Sequence, residues 1–252
     1  MSAMSLAPAS QRFQAYANPA RFMALSGRLL PYLSAATALL LLAGLYLALF
    51  ASPADYQQGE TVRIMYVHVP SAWIAMFAYM VMAGASFMAL VFRHPLADVC
   101  AKAAAPIGAS FTFLALVTGS FWGRPMWGTW WAWGDARLTS MLILFFLYLG
   151  YMALWSTIEE PQRAGRIAAV LALVGSINIP IIHYSVVWWN TLHQPASVFR
   201  MDGPTIDGSM LRPLMVMALA FTLLFITLLL LRMRAEILRR RLRGLLLSRA
   251  EA

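Results

Sequence analysis

Five tryptophans fall within twelve residues: Trp122, Trp127, Trp130, Trp131 and Trp133, in the stretch SFWGRPMWGTWWAWGDARLTS over residues 120–140. A single loop has no packing reason to collect five indoles. Together they make a flat, apolar, polarizable surface edged with N–H donors, which suits a large planar ligand. If the loop is helical, Trp127, Trp130 and Trp131 share one face through their i, i+3, i+4 spacing. Four histidines add a second chemistry, because imidazole nitrogens are common metal ligands. His68 lies in MYVHVPSAW, His193 in VVWWNTLHQPAS, His183 in IIHYS, and His94 follows Arg93.

What these residues can do together depends on where the chain holds them. The 252 residues are 61% hydrophobic and only 12% charged, with a mean hydropathy of +0.69. Soluble domains carry about twice that share of charge. The chain therefore reads as an integral membrane protein, all-α, with residues 1–252 forming one polytopic domain. Six apolar stretches, near residues 30–50, 72–92, 103–122, 138–157, 167–187 and 213–231, each supply the ~20 helical residues that a hydrocarbon core of about 30 Å requires. The first stretch is too long for a signal-peptide core and reads as an uncleaved anchor.

Orientation follows from the basic residues. Fourteen of the nineteen lie before the first stretch (Arg12, Arg21, Arg28), in the second and fourth connections (Arg93, Lys102, Arg163, Arg166) and in the C-terminal tail. The opposite face holds Arg63, Arg124, Arg137, Arg200 and Arg212, balanced by Asp55, Glu60, Asp135, Asp202 and Asp207. The whole net charge of +9 thus sits on one face, which is cytoplasmic, and both termini with it. Three loops face outward.

This topology gives the histidines depths. His68 falls at the outer end of the second helix, His193 just beyond the outer end of the fifth, His183 a few residues below that surface, and His94 on the cytoplasmic side. Eight of the nine tryptophans fall at the outer side and only Trp155 at the inner one. An interfacial aromatic belt would populate both faces, so the asymmetry favours a ligand platform. A flat apolar surface flanked by imidazoles at one depth points to haem, whose iron accepts histidine nitrogens. Its two propionates need cations, and Arg63, Arg124, Arg137 and Arg200 are on the same side.

Other chemistries are less well served. Cys100 is the only cysteine, which excludes disulfide and CxxC exchange chemistry. There is no GxxxxGK[ST], so the chain is not itself a P-loop ATPase. None of the six stretches contains Asp, Glu, Lys or Arg, against the intramembrane charges that ion-driven transporters use. The Arg239-Arg240-Arg241 run reads as a positive-inside anchor against the lipid bilayer; no base-reading or stacking groups accompany it, so no nucleic acid is expected as a partner. Two alternatives remain open from the residues alone. A b-type cytochrome would hold haem inside the bundle, where only His183 lies. A permease subunit would need an intramembrane polar path, and only Ser176, Asn178 and His183 offer one.

The motifs also carry a likeness. GRPMWGTWWAWGDARLTS resembles the WWD signature of haem-handling membrane proteins. With MYVHVPSAW, DARLTSMLILFFLYLG and WWNTLHQ, the chain is similar, across essentially all six helices, to the haem exporter protein C family of bacterial cytochrome c maturation. The resemblance implies a periplasmic loop near residues 122–137 that cradles haem b through Trp122, Trp127, Gly128, Trp130, Trp131, Trp133 and Asp135. It further implies His68 and His193 as axial ligands. It implies delivery of haem to a membrane-anchored periplasmic haem chaperone, with an ABC-type ATPase, its membrane subunit and a small single-helix membrane protein as further partners. One departure stands out. Where the family runs W-x-W-D, Gly134 separates Trp133 from Asp135 here, a change of register that a glycine backbone can absorb.

Overall fold

The computed structural model describes residues 18–194, 197, 198 and 200–250; Arg12 of the inner-face count lies outside them. Among these residues the chain forms helices and connecting turns, with no strand beyond one isolated bridge between Asp55 and Gly59. Helix α1 (Pro19–Tyr46) is continued by a π-helical turn, Leu47–Ala51, and a 3-10 turn, Glu60–Ile64, leads into α2 (Met65–Phe92). Then follow α3 (Ala97–Trp127), α4 (Ala136–Thr157), α5 (Pro161–Gly175), α6 (Asn178–Trp188) and α7 (Gly208–Ala250). Helices α5 and α6 together make one span, so six segments are long and apolar enough to cross a membrane.

Helix ends fall where the sequence supplies caps. The Asn18 side chain accepts the Ala20 amide at 2.8 Å ahead of Pro19, the usual N-cap with proline at the first position. Helix α3 stops at Gly128, whose φ of 75° is left-handed and open to glycine at little cost. The fifth span breaks at Ser176–Ile177 because Pro180 has no N–H to return to the Ser176 carbonyl. Ile179 N donates there instead, at 3.1 Å, in a tighter turn. The buried Asn178 amide is satisfied by the Ser140 carbonyl at 2.9 Å.

Helices α2 and α3 form the centre, with α7 and α5 packed on α2, α4 on α3, and α1 chiefly on α7. Small residues make these approaches possible, since dispersion contacts rather than water exclusion hold helices together in lipid. Ala101, Ala104, Ala105, Gly108, Thr112 and Ala115 form one buried stripe of α3. A Cβ on Gly108 would lie 2.1 Å from the buried Tyr148 ring, whose hydroxyl donates to the Ala75 carbonyl at 2.8 Å. At the end of the bundle nearest the C-terminal tail, the buried Glu236 of α7 accepts from Lys102 of α3 at 3.0 Å and from Arg239 and Arg240 at 2.6 and 3.0 Å. Arg240 also reaches Asp98 at 2.8 Å. Charge absent from the apolar stretches is thus concentrated just beyond them, clamping α3 to α7.

Candidate functional site

The last turns of α3 organise the candidate site. His68, the fourth residue of α2, lies against them with Nδ1 at 3.1 Å from the Ala115 carbonyl and 3.1 Å from Thr118 Oγ1. The Thr118 hydroxyl already donates to the Leu114 carbonyl at 2.7 Å. Both neighbours of Nδ1 are therefore acceptors, which puts the ring proton on Nδ1 and leaves Nε2 as the lone-pair nitrogen. Gly119 is what lets the ring sit so close, because a Cβ there would fall 3.0 Å from His68 Cε1. Trp122, one turn further on, meets His68 edge-on with ring centres 5.6 Å apart, and its indole N–H donates to Gln58 Oε1 at 2.8 Å.

His193 reaches the same helix from the connection after α6. Its ring meets Trp127 at 4.9 Å between centres, tilted by 64°. Trp127 is itself folded back over α3, where a Cβ on Gly123 would lie 2.9 Å from its ring. Behind His193 stands Asp135, the N-cap of α4. Its Oδ1 accepts the Leu138 amide at 2.9 Å and its Oδ2 accepts the Leu192 amide at 2.8 Å. His193 Nδ1 is 3.3 Å from Oδ1 and 3.4 Å from Oδ2.

Burial works to raise the Asp135 carboxyl, but the Leu138 and Leu192 amides and the facing His193 overcome it, and its pKa lies below the ordinary carboxylate value. Burial lowers the His193 imidazole; Asp135 opposes this, Arg137 adds to it, and the result is below the ordinary histidine value. The pair is therefore a carboxylate accepting from a neutral imidazole rather than an ion pair. The two imidazoles are within electrostatic reach of one another, and Arg137 is within reach of both.

The tryptophan loop departs from the helical expectation. Past Gly128 it is a pair of turns, with the Thr129 hydroxyl donating to the Trp131 carbonyl at 2.9 Å and the Asp135 amide to the Ala132 carbonyl at 3.1 Å. Trp127, Trp130 and Trp131 consequently share no helical face, and the indoles make no single flat sheet. Trp122 and Trp127 belong to α3 and lie on the two histidines. Trp131 is half-buried against the core, with its indole N–H buried and unpartnered among the described residues, and meets Trp133 at a tilt of 64°. Trp130 and Trp133 are 54% and 76% exposed. Gly134 does not absorb the register change through a left-handed backbone, since the positive φ belongs to Gly128 instead.

The arginines are largely committed. Arg63 donates to Glu60 at 2.5 Å and to the Ala48 carbonyl at 2.8 Å, pinning the end of α1. Arg124 donates to the Gly128 carbonyl, and Arg200 lies 3.9 Å from Asp202. Arg137 donates to Ser185 Oγ at 3.2 Å and to the His183 carbonyl at 3.1 Å, tying α4 to α6. The remaining histidines are elsewhere: the exposed His183 ring packs edge-on against Tyr184 at 4.7 Å, and His94 accepts the Leu96 amide in the α2–α3 connection. Gln58, Thr118 and Gly119 carry no sequence signal of their own. They are functional candidates only because the fold sets them beside His68 and Trp122.

The pattern of the family described as Heme exporter protein C matches residues 12–248. Among curated proteins, Heme exporter protein C of Bradyrhizobium diazoefficiens is 66% identical over 234 residues, covering 93% of this chain and 88% of that protein. Heme exporter protein C of Escherichia coli K12 is 50% identical over 220 residues, covering 87% and 88%. The Rhodobacter capsulatus protein of the same name is 49% identical over 231 residues, covering 91% and 95%. With matches of this identity along nearly its whole length, the chain belongs to the heme exporter protein C family.

Proposed function

We propose that this chain is a multi-pass protein of the bacterial inner membrane that handles haem for cytochrome c maturation, holding haem b at its periplasmic face and handing it to a membrane-anchored periplasmic haem chaperone. The observation that carries the reading is the convergence of His68 and His193 on the end of α3. Each has Nδ1 occupied by acceptors, and neither Nε2 has a hydrogen-bond partner among the described residues. Two imidazoles whose Nδ1 is engaged and whose Nε2 is left open beside apolar indole walls match what a haem iron and porphyrin require. His68 and His193 would be the axial ligands, and Trp122 and Trp127 would pack beside them. Of Arg63, Arg124, Arg137 and Arg200, Arg137 is the best placed to neutralise a propionate, because its charge is felt at both rings.

The site's position at the end of the bundle, with Trp130 and Trp133 largely exposed beside it, favours delivery over storage. The chain's own residues bind and orient the haem, while ATP hydrolysis falls to an associated ABC-type ATPase with its membrane subunit, beside a small single-helix membrane protein. Extraction in mild detergent should give substoichiometric haem with a low-spin spectrum that declines when the chaperone is added. A redox-active haem retained at full stoichiometry would favour a cytochrome, and a chain that never takes up haem would favour a permease subunit.

Orientation has a separate check. Gly134 is exposed and a Cβ there meets nothing within 4 Å, so Gly134→Cys in a Cys100→Ser background should be harmless. An impermeant maleimide should label it in intact spheroplasts; labelling only after lysis would reverse the topology and the site argument with it. A further variant probes the fit at His68. Gly119→Val places bulk where the ring now rests and should convert low-spin haem to a high-spin species without loss of expression. An unchanged spectrum would remove His68 from the ligand pair.

A further inference from the structure

Asp135 stands in the middle of the site yet has little left to offer a ligand. It is only 3% exposed, and both carboxylate oxygens are engaged by the Leu138 and Leu192 amides and by His193 Nδ1. Three pieces of chain meet at this one side chain: the start of α4, the end of the tryptophan loop, and the connection after α6. His68 is supported differently. Its Nδ1 faces a backbone carbonyl and a hydroxyl, both neutral, and its Cα is fixed by a helix.

The group behind an imidazole sets how strongly its other nitrogen donates. A carboxylate accepting Nδ1–H pushes charge through the ring and makes Nε2 more basic, whereas a carbonyl does so much less. His193 also needs an outside hold on its ring, because a connecting segment does not fix it as α2 fixes His68. Among the described residues, the groups facing it are Trp127 from α3 and, from the start of α4, Asp135 and the more distant Arg137. Of these described groups, Asp135 is the one that accepts from its ring.

We propose that Asp135 is a positioning residue for His193 that makes it the stronger of two unequal haem-iron ligands and leaves His68 as the ligand that yields first. The proposal rests on the haem-binding reading above and adds a direction to it: the iron opens on the side of α2, Gly119 and Trp122.

The test uses the full chain in detergent, loaded with haemin. Asp135→Asn removes the charge and keeps an oxygen for the α4 cap. Asp135→Ser also keeps a capping oxygen, on a side chain too short to hold His193. Both should bind haem about 10–100-fold more weakly, the range typical for loss of such a supporting group. Both should also favour ferrous iron more than the parent does, with each tenfold change appearing as about 59 mV in the one-electron midpoint potential. Thr118→Ala, which touches only the support of His68, should shift the potential far less. In a double-mutant cycle the Asp135→Asn effect should vanish on top of His193→Gly and persist on top of His68→Gly. Carbon monoxide added to the reduced parent should replace His68, so its complex should match that of His68→Gly and differ from that of His193→Gly.

An unshifted potential in Asp135→Asn would overturn the proposal, as would full recovery in Asp135→Ser, which would assign the effect to the helix cap. A carbon monoxide complex matching His193→Gly would reverse the order of ligand loss. A parent chain that takes up no haemin would fail the haem reading itself, a different result from any of these.

Discussion

Alanine at either His68 or His193 is expected to abolish the low-spin haem spectrum, leaving a five-coordinate high-spin species or no haem. The magnitude follows from coordination chemistry. Loss of one axial nitrogen leaves the iron with a single protein ligand, and the apolar contacts of the indoles cannot replace a metal–nitrogen bond. The structure predicts no substitute from the other histidines. The His183 ring is exposed and packed on Tyr184, and His94 sits in the α2–α3 connection. His94→Ala and His183→Ala should therefore keep the parent spectrum. Should His183→Ala alone destroy it while His193→Ala does not, the axial assignment is wrong. Spectra of ferric and dithionite-reduced proteins, purified side by side with haem quantified per chain, decide the matter.

The tryptophans should fail in two different ways. Trp122 and Trp127 pack on the two histidines, so Trp122→Ala or Trp127→Ala should loosen haem itself. An aromatic contact contributes on the order of 0.5–1.5 kcal/mol beyond area burial, which corresponds to a loss of several-fold in affinity for each. Trp130 and Trp133 are mostly exposed, and their ring contacts among the described residues are with Phe121 and Trp131 rather than with either imidazole. Trp130→Ala or Trp133→Ala should leave a detectable bis-histidine spectrum and lose covalent haem on the chaperone. Misplacement of a reacting edge by about 1 Å can cost roughly a hundredfold in rate, so transfer should suffer more than binding. If these indoles merely anchor the loop at the membrane surface, phenylalanine should restore transfer at either position. Haem staining of the chaperone band beside the spectrum of the membrane protein separates the outcomes, and normal transfer by both alanine variants would remove the outward tryptophans from the function.

Much of the fold was legible because the solvent changes along the chain. Uncharged apolar runs betrayed the spans. Their true ends were hidden, since arginine and lysine are good helix formers and α7 continues well past the hydropathy signal to Ala250. The break at Ser176 had a visible cause in Pro180, yet hydropathy runs straight through it. In the candidate site the residue types drew attention but not their arrangement. A run of indoles at helical spacing reads as one face, and only the left-handed Gly128 shows that the helix ends before Trp130. The Asp135 contact with His193 spans 58 positions. No local pattern encodes a pairing of that kind, and neither does the space that Gly119 leaves for a ring 51 residues earlier in the chain.

Helix α7 has a mechanical meaning of its own. At 43 residues it is about 64 Å long, roughly twice the thickness of a hydrocarbon core. Its one proline, Pro213, lies near its N-terminal end. The helix is therefore a single stiff rod, gripped by α1, α2 and α3 and free at its arginine-bearing tip. The loop that carries Asp202 and Asp207 ends on this rod, and so does the tip. The exposed tip and the loop carrying Asp202 and Asp207 are therefore held at a fixed separation by one unbroken helix, with the Glu236 clamp between them.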